Sequence, residues 1–284
     1  MKTDLIYGVE DRPPFKDALF AALQHLLAIF VAIITPPLII ASALKLDVEK
    51  TSFLVSMSLF ASGVSTFIQC RRIGPIGAKL LCIQGTSFSF IGPIIATGLV
   101  GGLPLIFGSC IAAAPIEMVV SRTFKYLRNI ITPLVSGIVV LLIGLSLIKV
   151  GIVSCGGGYS AMDDGSFGSW ENLSIAALVL LSVLFFNRCK NKYLRMSSIV
   201  FGLCLGYGLA FALGKVNMSA LNVEMLMSFN IPQPFKYGID FNISSFIAIG
   251  LVYLITAIEA TGDVTANSMI SGLPIEGDSY LKRV

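Results

Sequence analysis

Apolar runs of about 20 residues, the length needed to cross a hydrocarbon core, recur along most of this chain. In lipid every backbone N–H and C=O must be satisfied within the protein, so runs of this length are read as membrane-spanning helices. Bounded by Gly, Pro and charge clusters, they fall near 18–44, 51–69, 79–99, 102–121, 130–150, 173–187, 196–214 and 244–270, which makes eight. Composition agrees: of 284 residues 55% are hydrophobic and 13% charged, against about 25% charged in soluble domains. The fold class expected is an all-α polytopic membrane protein. The segment Met1 to Phe15 carries Asp4, Glu10, Asp11 and the pair Pro13-Pro14, unlike a basic, cleavable leader, so the first span is expected to stay in the protein. The six cysteines are scattered, with no spacing of a zinc site or disulfide framework. They read as small apolar fillers, and no metal site is expected.

Loop charge sets the orientation. The connection after span two carries Arg71, Arg72 and Lys79, the next alternate one Arg122, Lys125 and Arg128, and the next Arg188, Lys190, Lys192 and Arg195. The connection from Gly151 to Asn172 has Asp163, Asp164 and Glu171 and no Lys or Arg. Both termini are therefore expected in the cytoplasm, with Lys282 and Arg283 agreeing. The formal charge of +4 is explained by these loops, so nucleic acid is not an expected partner. The longest connection, 215–241, is read as an outside loop.

An ionisable residue at the bilayer centre costs at least about 2.5–3.5 kcal/mol, which makes each one a site candidate. His25, Glu117, Glu259 and Asp263 fall inside spans. Glu259 and Asp263 are four apart and project from one helix face, where two like charges favour protonation of one of them. The competing reading, a pairing with a basic group that holds helices together, lacks an obvious mid-span Lys or Arg. His25 stands between a packing histidine and a site-lining one. Glu117 lies near Arg122 and reads as snorkelling or pairing there. Span three opens with Gln84-Gly85-Thr86-Ser87-Phe88-Ser89-Phe90, which would open backbone groups to a ligand and offer Phe88 or Phe90 to a flat ring; small-residue packing is the alternative.

These stretches are similar to those of the nucleobase–ascorbate transporter family, also called nucleobase–cation symporter 2, and within it to the bacterial xanthine and urate permeases. The resemblance is carried by Glu10-Asp11-Arg12-Pro13-Pro14, Gln24-His25-Leu26-Leu27-Ala28, Ile83-Gln84-Gly85-Thr86-Ser87-Phe88, Ile131-Thr132-Pro133-Leu134-Val135-Ser136-Gly137 and Glu259-Ala260-Thr261-Gly262-Asp263. It implies two inverted seven-span repeats forming a core domain and a gate domain. The chain would supply the first repeat plus span eight, C-terminally truncated against the family: core 1–128 (spans one to four), part of the gate 129–215 (spans five to seven), then the outside loop and span eight in 216–284.

The resemblance implies proton-coupled symport of a purine, xanthine or urate, by alternating access, with no cofactor and the proton as coupling ion. Glu259, Ser87, Gln84 and Phe88 would bind substrate, Glu259 by accepting N–H groups of the base. Asp263 and His25 would couple protons or line the site. The setting implied is a bacterial inner membrane, with a homodimer and the lipid bilayer as partners. Two other expectations stay open: a non-transporting remnant or one part of a split permease, and a carrier of uracil or another nucleobase. Glu259 would repel an anionic substrate, which disfavours an anion carrier of the same fold. One histidine, with no HExxH and no DDxxD, argues against an enzyme.

Overall fold

Helices form where the apolar runs lie, and the breaks between them are set by Gly, Pro and hydroxyl side chains. The computed structural model describes residues 7–8, 11–71, 73–74, 76–127, 138, 141, 145, 148–149, 151–190, 194–195, 197–216 and 231–271. The named helices are α1 (Phe15–Ala43), α2 (Val48–Arg71), α3 (Ile91–Leu127), α4 (Gly158–Asp163), α5 (Trp170–Asn187), α6 (Ser198–Ala212) and α7 (Ile243–Ile270), with a one-turn 3-10 helix, Phe88–Phe90, before α3. The expected span at 130–150 lies mostly outside the described residues. Val48–Arg71, Phe88–Val120, Trp170–Asn187 and Ile243–Ala260 are long and apolar enough to cross a membrane, and Ile29–Ala43 and Ser198–Ala212 are shorter apolar helices. Large side chains such as Leu99, Val100, Leu181 and Phe185 stand exposed on these helices, as a lipid-facing surface requires and a water-facing one rarely permits.

Two departures from the expected spans have local causes. Residues 79–87, expected to open span three, are not helical; Gly85, β-branched Thr86 and Ser87 favour extended backbone, and α2 offers side chains to satisfy it. The boundary expected between spans three and four falls inside α3, at Gly101 (φ −142°) and Gly102 (φ 67°, ψ −161°). Gly102 takes a conformation that L side chains rarely adopt. A Cβ on Gly98 would lie 2.9 Å from Ile106 Cδ1, whereas residues eight apart in a straight helix are separated by about 12 Å. The chain therefore doubles back at the kink, and α3 is two helices joined there.

The chain divides into two compact units: Met1–Pro13, Pro36–Leu147 and Gln233–Val284 form one, Pro14–Thr35 and Ile148–Pro232 the other. In the first, α3 packs along α7 over buried Ala113, Ile249, Val252 and Ala257. Gly250 permits the close approach, since a Cβ there would lie 2.7 Å from Ile116 Cδ1. The turn into α2 is capped by Asp47, which accepts from Lys50 N at 2.8 Å. The Lys50 ammonium beside it, with that N–H, holds the Asp47 carboxyl below its usual range. The 233–241 segment docks on the same end. Lys236 lies 3.4 Å from Glu49 and over the Phe53 ring at 4.5 Å, Tyr237 meets the Phe53 ring edge-on at 5.5 Å, and Asp240 N donates to Pro104 O at 3.0 Å.

In the second unit α5 packs on α6, with Gly202 and Gly206 one turn apart against Val183 and Val179. Asn172 ties the preceding loop by donating to Gly156 O at 2.9 Å and Ser166 O at 3.0 Å, and Lys215 pairs with Glu171 at 2.9 Å.

The glycine contacts predict opposite outcomes for two similar substitutions. A methyl on Gly108 would sit 1.8 Å from the Asp240 carbonyl oxygen, a backbone atom. Gly108→Ala is expected to lift the 233–241 segment and destabilise by about 2–3 kcal/mol, read as faster chymotryptic cleavage beside Phe235 and Tyr237. A methyl on Gly202 crowds Val183 Cγ2, a side-chain end, at 2.6 Å, and meets Ser182 Oγ and Val179 O at ordinary contact distances of 3.4 and 3.5 Å, so Gly202→Ala should cost about 1 kcal/mol or less. Equal melting temperatures for the two variants would contradict this assignment.

Candidate substrate site

The non-helical segment before α3 is held by side chains of α2. Ser62 and Thr66 lie one turn apart on that helix, so both hydroxyls face the same way. Ser62 Oγ donates to Gln84 O, and Gln84 N donates to Thr66 Oγ1 at 2.9 Å. Both backbone groups of Gln84 are thereby satisfied away from any helix ladder, as backbone inside a membrane requires. Lys79 N donates to Gln69 O at 3.1 Å, which fixes where the segment starts. Its far end turns into the 3-10 helix, where Ser87 is the N-cap and its Oγ accepts from Ser89 N at 3.3 Å.

Helix α7 brings the acidic residues to this segment. Thr256, Glu259, Asp263 and Asn267 follow at spacings of three, four and four, one continuous stripe of a helix. Asn267 Nδ2 donates to Leu81 O at 2.7 Å, and Val264 packs with Ala78 and Leu80 against Cys82. Nearer the other end, the Phe90 ring meets Tyr253 edge-on with centroids 4.9 Å apart. The stripe is thus fixed at both ends to the 79–90 stretch. Between those ties lie two buried side-chain polar atoms with no hydrogen-bond partner, Glu259 Oε2 and Ser89 Oγ. One is an acceptor and the other a hydroxyl, and leaving such a group unpaired costs about 1–3 kcal/mol.

The expected site residues separate by place. Glu259, Gln84, Ser87 and Phe88 lie in this first unit, on α7 and on the segment packed against it. The Ser87 hydroxyl is occupied as a cap, and the Gln84 amide donates to Cys82 O at 3.4 Å. Asp263 is exposed, and its charge reaches Glu259 and Cys82. His25 belongs to the second unit and lies on an exposed stretch of α1. Glu117 does not fit the pairing with Arg122; it faces the Thr256 hydroxyl and the Glu259 charge on α7. Ser62, Thr66, Ser89 and Asn267 were not legible as site residues. The signal available was the pair of hydroxyls four apart on α2, which reads equally as close packing. Among the described residues no group of three or more His, Cys, Asp or Glu is placed to hold a metal ion.

A kinked helix, a clamped extended segment and an acidic stripe on an apolar helix define a multi-pass helical membrane protein with a polar site at a helix break. The profile of a permease family matches residues 16–284, and the chain belongs to that family, as its motifs led one to expect. It is 46% identical over 293 residues to the xanthine permease XanP of Escherichia coli strain K12, covering 99% of this chain and 63% of the relative. It is likewise 46% identical over 291 residues to the xanthine permease XanQ of the same strain, covering 99% of this chain and 62% of the relative. To the uric acid permease PucJ of Bacillus subtilis strain 168 it is 34% identical over 264 residues, covering 92% of this chain and 58% of the relative. The chain thus spans somewhat under two thirds of the length of these relatives, which are permeases and not enzymes.

Proposed function

We propose that the chain carries the substrate-holding part of a proton-coupled purine permease, with xanthine or urate as cargo and alternating access as the mechanism. The observation that carries this reading is Glu259 Oε2, a buried acceptor with no partner. It suits a neutral base that presents N–H groups and suits an anion poorly. Ser89 Oγ, buried and unpaired beside α3 and α7, adds a hydroxyl for the carbonyl edge of the same ring. Phe88 as a ring face, with Gln84 and Ser87 beside it on the same segment, completes the seat. The names of XanP, XanQ and PucJ, two xanthine permeases and a uric acid permease, support a purine over uracil.

In this reading a core of residues 1–128 with span eight in 216–284 moves substrate past a gate to which residues 129–215 contribute, and Asp263 and His25 serve proton coupling or line the path. The protein would lie in a bacterial inner membrane with both termini cytoplasmic, as a homodimer. The segments 45–50, 101–108 and 233–241 meet at one end of the first unit, which supports the placement of all three on the outer side.

The test is uptake of radiolabelled xanthine and urate by cells expressing the 284-residue chain, and by cells expressing it joined to the C-terminal third of XanP. Saturable uptake that excess purine suppresses and excess uracil does not is the expected result. Absence of purine uptake from both versions, or suppression by uracil alone, would overturn the reading.

A further inference from the structure

The extended segment before α3 is pinned from two sides within a few residues. On α2 the Ser62 and Thr66 hydroxyls hold the backbone of Gln84, Thr66 at 2.9 Å. On α7 the Asn267 side chain holds the backbone of Leu81, its Nδ2 donating to Leu81 O at 2.7 Å. One turn further along α7, Ser271 Oγ donates to Asn267 Oδ1 at 3.3 Å, so the amide is oriented with its N–H₂ toward the segment. Leu81 and Gln84 are separated by about 10 Å of extended chain, and between them the segment is a strut from α2 to α7. The neighbouring contact of Val264 with Ala78 and Leu80 is apolar. Such contacts resist separation but are non-directional, whereas a hydrogen bond fails once its distance and angle are lost. The Asn267 bond therefore fixes the height of α7 along the strut.

Height matters because of where Glu259 lies. From Asn267, tied to Leu81, to Tyr253, whose ring meets Phe90, α7 spans roughly 21 Å, and Glu259 lies about 12 Å along it from Asn267. That is level with the middle of the stretch from Leu81 to Phe90, where Gly85, Thr86 and Ser87 stand. A slip of α7 by one residue would carry Glu259 about 1.5 Å along the segment, more than a hydrogen bond to a shared ligand tolerates. We propose that Asn267 is a positioning residue of the substrate site: its bond to Leu81 O sets the height of Glu259 against the Gln84–Ser89 stretch and thereby tunes the preference among purines. This rests on the purine-permease reading above and adds the residue that adjusts its selectivity. Asn267 lies two turns from Glu259 on the same stripe and acts through it. A ligand that must reach both Glu259 and the segment reads their separation, as a ring reads the spacing of its donors and acceptors, so a changed height favours one pattern of ring N–H and C=O groups over another.

The experiment uses the chain joined to the C-terminal third of XanP and measures the KM for radiolabelled xanthine uptake, with the inhibition constants of urate and of N-methylated xanthines against it. Asn267→Leu keeps the size of the side chain and removes the donor. It is expected to change the ratio of the xanthine KM to at least one of those constants by about fivefold or more, with the maximal rate per protein in the membrane within about threefold of the parent. Asn267→Gln, which keeps the donor on a longer arm, should give a ratio between those of the parent and Asn267→Leu. Unchanged ratios in Asn267→Leu would overturn the proposal, whether or not the rate falls. Identical shifts in the Leu and Gln variants would also overturn it, by tracing the effect to packing and not to the donor. If Asn267→Leu does not reach the membrane, Asn267→Ala is judged by the same ratios. Absence of both from the membrane would overturn the proposal, because a residue that sets position alone is not needed for folding. A parent that takes up no purine would refute the purine reading instead. Asn267 is then judged by native Cys82, which packs with Val264 in the same contact: Asn267→Leu must speed its alkylation by a maleimide about threefold or more in lipid nanodiscs, and an unaltered rate overturns the proposal.

Discussion

Glu259→Gln is expected to cut purine uptake severely, with kcat/KM falling by about a hundredfold. The substitution barely alters size, so its effect isolates charge and hydrogen-bond sense. Glu259 Oε2 is buried without a partner, and an ionised carboxylate offers two acceptor oxygens to the N–H groups of a base. Glutamine keeps one acceptor and turns an N–H₂ toward a ligand N–H. Losing one charge-assisted hydrogen bond and leaving a buried donor unmatched costs about 3 kcal/mol, which is about a hundredfold at roughly 1.4 kcal/mol per decade. Uptake kinetics corrected for the amount of protein in the membrane would check this. A variant within threefold of the parent would show that the ligand does not rest on Glu259.

The second large effect is expected at α2, away from any direct ligand contact. Ser62→Ala combined with Thr66→Val removes the donor for Gln84 O and the acceptor for Gln84 N, the two bonds that fix the extended segment. Each backbone group left unpaired costs about 1–3 kcal/mol, so the double variant should lose about 2–6 kcal/mol of stability. Neither substitution adds bulk. The clamp is shared between two side chains on one backbone residue, so the single variants should not simply add. Thermal melting of the detergent-solubilised protein and xanthine uptake would both fall. Normal melting with normal uptake would show that the segment is held by other contacts.

Much of the helical layout was legible because the bilayer imposes it. The apolar runs near 51–69, 173–187, 196–214 and 244–270 correspond to α2, α5, α6 and α7, since a chain in hydrocarbon has no other way to satisfy its backbone over that length. The split between spans three and four was legible in Gly101-Gly102, where a residue without Cβ can take φ 67°. The first turns of span three were misread as helix because hydropathy does not distinguish an apolar helix from an apolar extended segment whose backbone is satisfied from outside. That satisfaction comes from Ser62 and Thr66, 22 and 18 residues before Gln84, and pairing of that kind leaves no local mark.

Glu259 stood out in the sequence because a carboxylate is costly in a span, and the structure adds that one of its oxygens has no partner. Glu117 carried the same signal, yet its sequence neighbour Arg122 offered a plausible partner on its own helix. Only the packing of α3 on α7 shows it turned toward Thr256 and Glu259. The general reason is that helix neighbours within a turn or so are readable from spacing, whereas the partner across a helix–helix contact depends on rotation about both axes. Ser89 was hidden for a similar reason, one hydroxyl among several in a small-residue run.

The central claim is that Glu259 accepts N–H groups of a purine, and a cycle between protein and ligand tests it most directly. Uptake would be measured for xanthine and a series of N-methylated xanthines, each lacking one N–H, in the parent and in Glu259→Gln. For at least one ring position, methylation should lower transport strongly in the parent and little further in Glu259→Gln, because both changes remove the same bond. Equal proportional losses in parent and variant at every ring position would mean that Glu259 does not hold the base.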